Sequence, residues 1–170
     1  MKTISFDLSI KSIEDAIQQI EEYKSSFRYK LSLFLERLAD IGITTIDDNM
    51  ATEGDSSPDH SAYVRIESSG DYAEATLVLQ GRDIAFIEFG AGVHFNENAG
   101  SSPHPKGAAL GYTIGSYGYG QGAKDHWTYM SAETGNRETS YGTKAAMPMY
   151  KAEVEMTERF KTIAREVFGG

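Results

Sequence analysis

Residues 61–80 read SAYVRIESSGDYAEATLVLQ. Side chains alternate along an extended chain, so Ala62, Val64 and Ile66 share one face while Tyr63, Arg65 and Glu67 share the other. Past Ser69-Gly70 the alternation resumes, with Ala73, Ala75, Leu77 and Leu79 pointing inward. Two alternating runs around a glycine turn predict a β-hairpin. Its apolar face requires a cover, and long helical patterns on either side of it in the chain can supply one.

Upstream, Ile4, Phe6, Leu8 and Ile10 alternate with Ser5, Asp7 and Ser9, which predicts a half-buried strand beside the hairpin. The period then lengthens. Ser12 and Asp15 resemble a capping box, and Ile13, Ile17, Ile20, Phe27, Leu31, Phe34 and Leu38 recur at threes and fours, with Lys24 interrupting. A long amphipathic helix is expected, one face buried across a sheet, weakened at Gly42 but extended by Ile43 and Ile46 to about Asp48; the heptad-like stripe also permits a coiled coil. Residues 51–60, ATEGDSSPDH, form a loop by composition.

Downstream, residues 84–90 read IAFIEFG, a lone carboxylate at Glu88 among apolar neighbours. Asp83 and Gly90 could bracket a short helix; a buried strand after a turn at Gly81 fits the same residues. From Gly81 to Gly142 the texture changes, because 12 of the 17 glycines lie there. GYTIGSYGYGQG, residues 111–122, cannot build a core and is expected as a surface excursion. Within it HWTYMSAETGNRETSYG predicts a second hairpin, with Trp127 and Tyr129 on one arm and a turn at Thr134-Gly135-Asn136. Tyrosine, glycine and serine make adaptable binding surfaces, so Tyr112, Tyr117, Tyr119, Trp127 and Tyr129 are candidate contact residues; a plain flexible tether is the other reading. Met149, Ala152, Met156, Phe160, Ile163 and Val167 then mark a C-terminal amphipathic helix with Pro148 in its first turn.

The reading is a single α+β domain over residues 1–170. A long N-terminal helix and a C-terminal helix pack on a mainly antiparallel sheet, and a Gly/Tyr-rich loop with a hairpin leaves it over 91–144. The absence of cysteine excludes disulfides and thiolate metal sites and fits a reducing cytoplasm. No segment has the continuous apolar block of a signal peptide or membrane span, so a membrane partner is not expected. A net charge of -9 repels phosphate, which argues against ordinary duplex binding.

No catalytic, cofactor or metal site emerges. The histidines, His60, His94, His104 and His126, all fall in predicted loops without the i, i+4 spacing of a helical metal pair; His94, near Glu88 and Glu97, is the best candidate ligand. Serines lack a G-x-S-x-G elbow, GSYGYGQG lacks the strand, lysine and helix of a phosphate loop, and Glu21-Glu22 and Asp47-Asp48 look like solvated faces.

The order of elements, with DIAFIEFGAG before the excursion and YGTKAAMPMYKA opening the last helix, resembles the neck or tail-completion proteins of long-tailed bacteriophages and prophages. The matching positions are Glu88, Phe89, Gly90 and Ala91, then Gly142, Pro148 and Met149. Ala91 stands where the family commonly has threonine and Met149 where phenylalanine is frequent; both keep the character needed for packing.

The resemblance implies a non-enzymatic virion protein, made in the bacterial host cytoplasm and located at the head–tail junction. Copies would form a ring, usually sixfold, touching head connector or adaptor proteins and tail terminator or tail-tube proteins. DNA would pass through without sequence-specific binding, a passage that acidic charge would suit. Phe86, Glu88, Phe89, Gly90, Pro148 and Met149 join the aromatic residues as expected interface positions. On this reading Glu88 accepts hydrogen bonds from backbone amides or an arginine and holds the turn from Gly90 to Gly92; otherwise it points to water. The alternative class is a binding module whose Tyr/Trp-rich loop recognises a glycan or peptide.

Overall fold

A computed structural model describes residues 3–51, 60–69, 72–81, 83–96, 100–114, 126–132 and 134–169. Among them the order is α1 (Ile10–Ala51), β1 (His60–Ser69), β2 (Tyr72–Gly81), α2 (Ile84–Phe89), α3 (Val93–Asn96), β3 (Gly100–Ser101), β4 (Thr113–Ile114), β5 (Trp127–Met130), β6 (Arg137–Ser140) and α4 (Pro148–Phe168). The fold is α+β, two long helices with small antiparallel strand pairs.

The hairpin forms as its alternation requires. β1 and β2 pair antiparallel, setting Ala62 opposite Leu79, Val64 opposite Leu77 and Ile66 opposite Ala75. These cross-strand pairs share one face. The base of that face is covered: Ala62, Leu77 and Leu79 pack with Ile46 and Met50 of α1, Ile87 of α2, and Ala146 and Ala152 at the start of α4. Ile66, nearer the tip, stays 46% exposed.

The expected strand at residues 4–10 does not form. Residues 3–7 carry no regular structure, Phe6 and Leu8 are exposed, and the sheet keeps two strands. The helix starts earlier than the expected Ser12-Asp15 box because Ser9 captures it. The Ser9 Oγ accepts from the Ser12 amide at 3.3 Å, while the Ser12 Oγ accepts from the Asp7 amide at 3.0 Å. The Ser9 amide in turn donates to Asp7 Oδ1 at 2.7 Å, so Asp7, Ser9 and Ser12 together make the cap.

α1 runs unbroken through Gly42. A Cβ there would come 2.8 Å from the Leu77 side chain and 2.9 Å from the Met156 sulfur. The glycine lets helix, strand and second helix converge. Further along α1, Phe34 inserts against α4 with Ile163 and Val167, its ring edge-on to Phe160 at 5.1 Å. Burying such aromatic and aliphatic groups stabilises by roughly 1.5–3 kcal/mol each. The expected burial fails in the first half of α1: Ile13, Ile17 and Ile20 are exposed, because α4 does not reach them.

Within the excursion, β5 and β6 form the expected hairpin, pairing Tyr129 with Glu138 across the ladder. The Glu138 carboxyl accepts from the Thr134 and Tyr129 hydroxyls, at 2.8 and 3.0 Å, and these bonds lower its pKa. β3 and β4 make a two-residue pair that sequence periodicity did not signal. Tyr117 and Tyr119 and the side chain of Trp127 lie outside the described residues.

Candidate functional site

Residues 84–90 resolve as the short helix α2, with Gly90 as its stop at φ +80. Asp83 precedes the helix but does not cap it through its side chain; its carbonyl accepts from the Phe86 and Ile87 amides. Ile87 and Glu88 face inward, whereas Phe86 is 45% exposed.

Glu88 is 6% exposed, and its carboxylate does not point to water. Its Oε2 accepts from the Met149 amide at 2.9 Å, and its Oε1 accepts from the Tyr150 amide at 3.0 Å. Those are orphan donors at the start of α4, where Pro148 has no N–H and Met147, at φ +55, offers no side-chain cap. A carboxylate at a helix N-terminus also meets the positive end of the helix dipole. The missing local cap of α4 is thus supplied from α2. The Ile87 carbonyl adds to the junction by accepting from the Ala146 amide at 2.8 Å.

The third partner of Glu88 is His104, whose Nε2 lies 3.0 Å from Oε1. The tautomer follows from the other ring nitrogen. Nδ1 accepts from the Lys106 amide at 3.0 Å, so the proton resides on Nε2 and is donated to Glu88. Phe89 flanks the imidazole with centroids 4.6 Å apart, and Tyr150 does so at 5.3 Å. Phe89 also stacks on Tyr112, centroids 3.8 Å apart and planes 7° from parallel.

A carboxylate beside a histidine resembles half of a catalytic dyad. Here both imidazole nitrogens and both carboxylate oxygens are already engaged, and His104 is 5% exposed. Three of the four acceptor positions of the carboxylate are filled, two of them by backbone amides at the start of α4, so the pair ties α2, α4 and the segment around His104 together. Glu88 and His104 also line a shallow groove of about 450 Å³ whose apolar walls come from Leu77, Ile84, Phe89, Leu110, Met149 and Met156. The Lys106–Glu153 ion pair stands at its rim.

The turn at Gly90 to Gly92 is held by residues other than Glu88. Ala91 and Thr143 exchange two backbone hydrogen bonds, of 2.8 and 2.7 Å. Asn96 closes the junction: its Nδ2 donates to the Gly92 and Thr143 carbonyls at 3.0 and 2.9 Å, and its Oδ1 accepts from the Ala145 amide at 3.1 Å. Gly142, at φ +96, lies so close that a Cβ would fall 2.0 Å from the Ala91 carbonyl oxygen.

Of the expected interface residues, Glu88, Gly90 and Pro148 are buried and act inside the chain. Phe86, Tyr112 and Tyr129 are exposed, while Phe89 and Met149 are half-buried along the groove. Sequence reasoning missed Asn96 and His104. His104 is buried although it falls in a predicted loop, and its bracketing by Pro103 and Pro105 is the local sign of a fixed position. His94 lies against the rings of Phe95 and Tyr141, and it is His104 that meets Glu88. Among the described residues no group of three possible metal ligands converges, and no helix is long and apolar enough to cross a membrane. No family model, curated protein or solved structure matches the chain.

Proposed function

We propose that this chain is a structural protein of a phage neck, assembling with its own copies into a ring between head connector and tail through which DNA passes. One observation supports this most. The two short segments that carry the resemblance, 88–91 and 142–149, form one bonded unit: Glu88 caps the helix that Pro148 opens, and Ala91 pairs with Thr143. Their pattern therefore has a physical reason, which is to fix where the excursion leaves the domain and returns to it.

The role is mechanical. A head-to-tail ring needs each subunit to present an apolar surface and to receive one. The groove beside Phe89 and Met149 is suited to receive, and the exposed Phe86 to insert. The use of Glu88 to hold two backbone amides of α4 and His104 favours this reading over a hydrolase. The test is co-expression with the neighbouring neck and tail proteins, followed by electron microscopy. Rings containing this chain are expected. Intact particles with no density for it at the collar, or tight glycan or peptide binding by the lone chain, would overturn the reading.

A further inference from the structure

Thr3 to Ser9 alternate polar and apolar residues as a strand does, yet residues 3–7 join no strand of their own chain. Phe6 is 62% exposed and Leu8 92%. The β1–β2 sheet offers the complementary half. Among the described residues it has two strands, so the outer edge of each lacks a ladder partner. Its apolar face is also incomplete, because Ile66 stays 46% exposed. The two halves cannot meet within one chain. The Asp7 amide is tied to the Ser12 Oγ at 3.0 Å, in the first turn of α1, whereas the base of the hairpin packs around Ile46. The helix from Ser12 to Ile46 spans about 51 Å and the strand from Ala62 to Arg65 about 10 Å, so Asp7 lies on the order of 40 Å from Arg65 of its own chain.

The charges choose the edge and the register. Asp7 is the one charged residue of the segment 3–9. Arg65, exposed on β1, is the one lysine or arginine of the hairpin, whereas β2 presents Glu74. We infer that residues 3–8 of a second copy add as a third strand to the outer edge of β1, with Asp7 across from Arg65. Either strand direction then sets Phe6 and Leu8 beside Val64 and Ile66 on the apolar face. A shift of two residues would set Asp7 against Tyr63 or Glu67 and lose the charge match. The cap on α1 is kept, since Asp7 Oδ1 accepts from the Ser9 amide at 2.7 Å and Oδ2 is left for the guanidinium. No β1 residue lines the groove beside Phe89 and Met149, and the contact requires only a second copy, so it does not rest on the neck reading.

The chain has no cysteine, so single introduced cysteines report the pairing without background. Asp7→Cys and Arg65→Cys chains, mixed and oxidised, should form a disulfide dimer holding one of each, because directly opposed strand residues lie within disulfide reach. Phe6→Cys mixed with Arg65→Cys should not link, because its side chain leaves the opposite face of the strand. Sedimentation of the unmodified chain should show association, and Phe6→Asp with Leu8→Asp should weaken it about 100-fold or more. Circular dichroism should show that this double variant still folds, since both positions are exposed in the single chain. The absence of a mixed disulfide at every concentration overturns the proposal. So does equal linking of the Phe6→Cys chain, or association that survives both aspartates. Rings in the neck assembly without the mixed disulfide would remove this contact and leave the neck reading standing.

Discussion

The carboxylate of Glu88 accepts a hydrogen bond from the amide of Met149 at 2.9 Å, across 61 residues of sequence. Together with Tyr150 and His104 this makes three donors on one buried acid. Glu88→Ala removes the common acceptor and leaves those N–H groups without a partner. Losing a helix cap and charged hydrogen bonds should cost about 2–4 kcal/mol. Urea denaturation should show a lower midpoint with unchanged slope, and amide exchange at Met149 and Tyr150 should accelerate more than at the middle of α4.

Gly142 and Gly135 both have positive φ, +96 and +66, but different surroundings. Gly135→Ala meets nothing within 4 Å and should cost only the left-handed backbone penalty of about 1–2 kcal/mol. Gly142→Ala adds a collision with the Ala91 carbonyl and should cost clearly more, breaking the Ala91–Thr143 bridge. Thermal melts of the pair give the comparison; equal losses would mean that the close approach is absent.

Asn96 donates to several carbonyls and accepts from one amide. Asn96→Asp keeps the shape but turns the donating end into an acceptor facing those carbonyl oxygens. It should therefore destabilise more than Asn96→Ala, reversing the usual order in which the isosteric change is milder. Urea midpoints of the two variants decide it.

Phe34 packs edge-on to Phe160 and tilted to Phe168, and is 7% exposed. Phe34→Ala should lose about 3–5 kcal/mol, the cost of a large core cavity. Phe160→Ala removes a half-exposed partner from the same contact and should lose less. Matched denaturation curves test the order.

Periodicity made the two long helices and the hairpins legible, because each depends on residues close in sequence, and left residues 84–90 open between a short helix and a strand. It failed at residues 4–10: alternation there describes an extended segment but gives it no neighbouring strand to join, and Ser9 instead begins α1. The family resemblance made Glu88 an acceptor from backbone amides or an arginine, yet assigned it the turn from Gly90 to Gly92. Which amides it meets depends on the return path of the excursion, and no local pattern encodes that. Asn96 and His104 were illegible for the same reason: their partners include Thr143, Ala145 and Glu88, between 16 and 49 residues away. The exposed half of α1 was misread as buried because a sequence stripe does not reveal the length of the helix opposite it.

The cap on α4 also sets an order of events during synthesis. Glu88 and His104 leave the ribosome well before Met149 and Tyr150, so for that interval the carboxylate must stay hydrated and the apolar groove beside it unfinished. Only when α4 emerges can the acid be buried with its donors in place. A nascent chain stalled before residue 148 therefore keeps that apolar surface uncovered, and completion of α4 is what closes it.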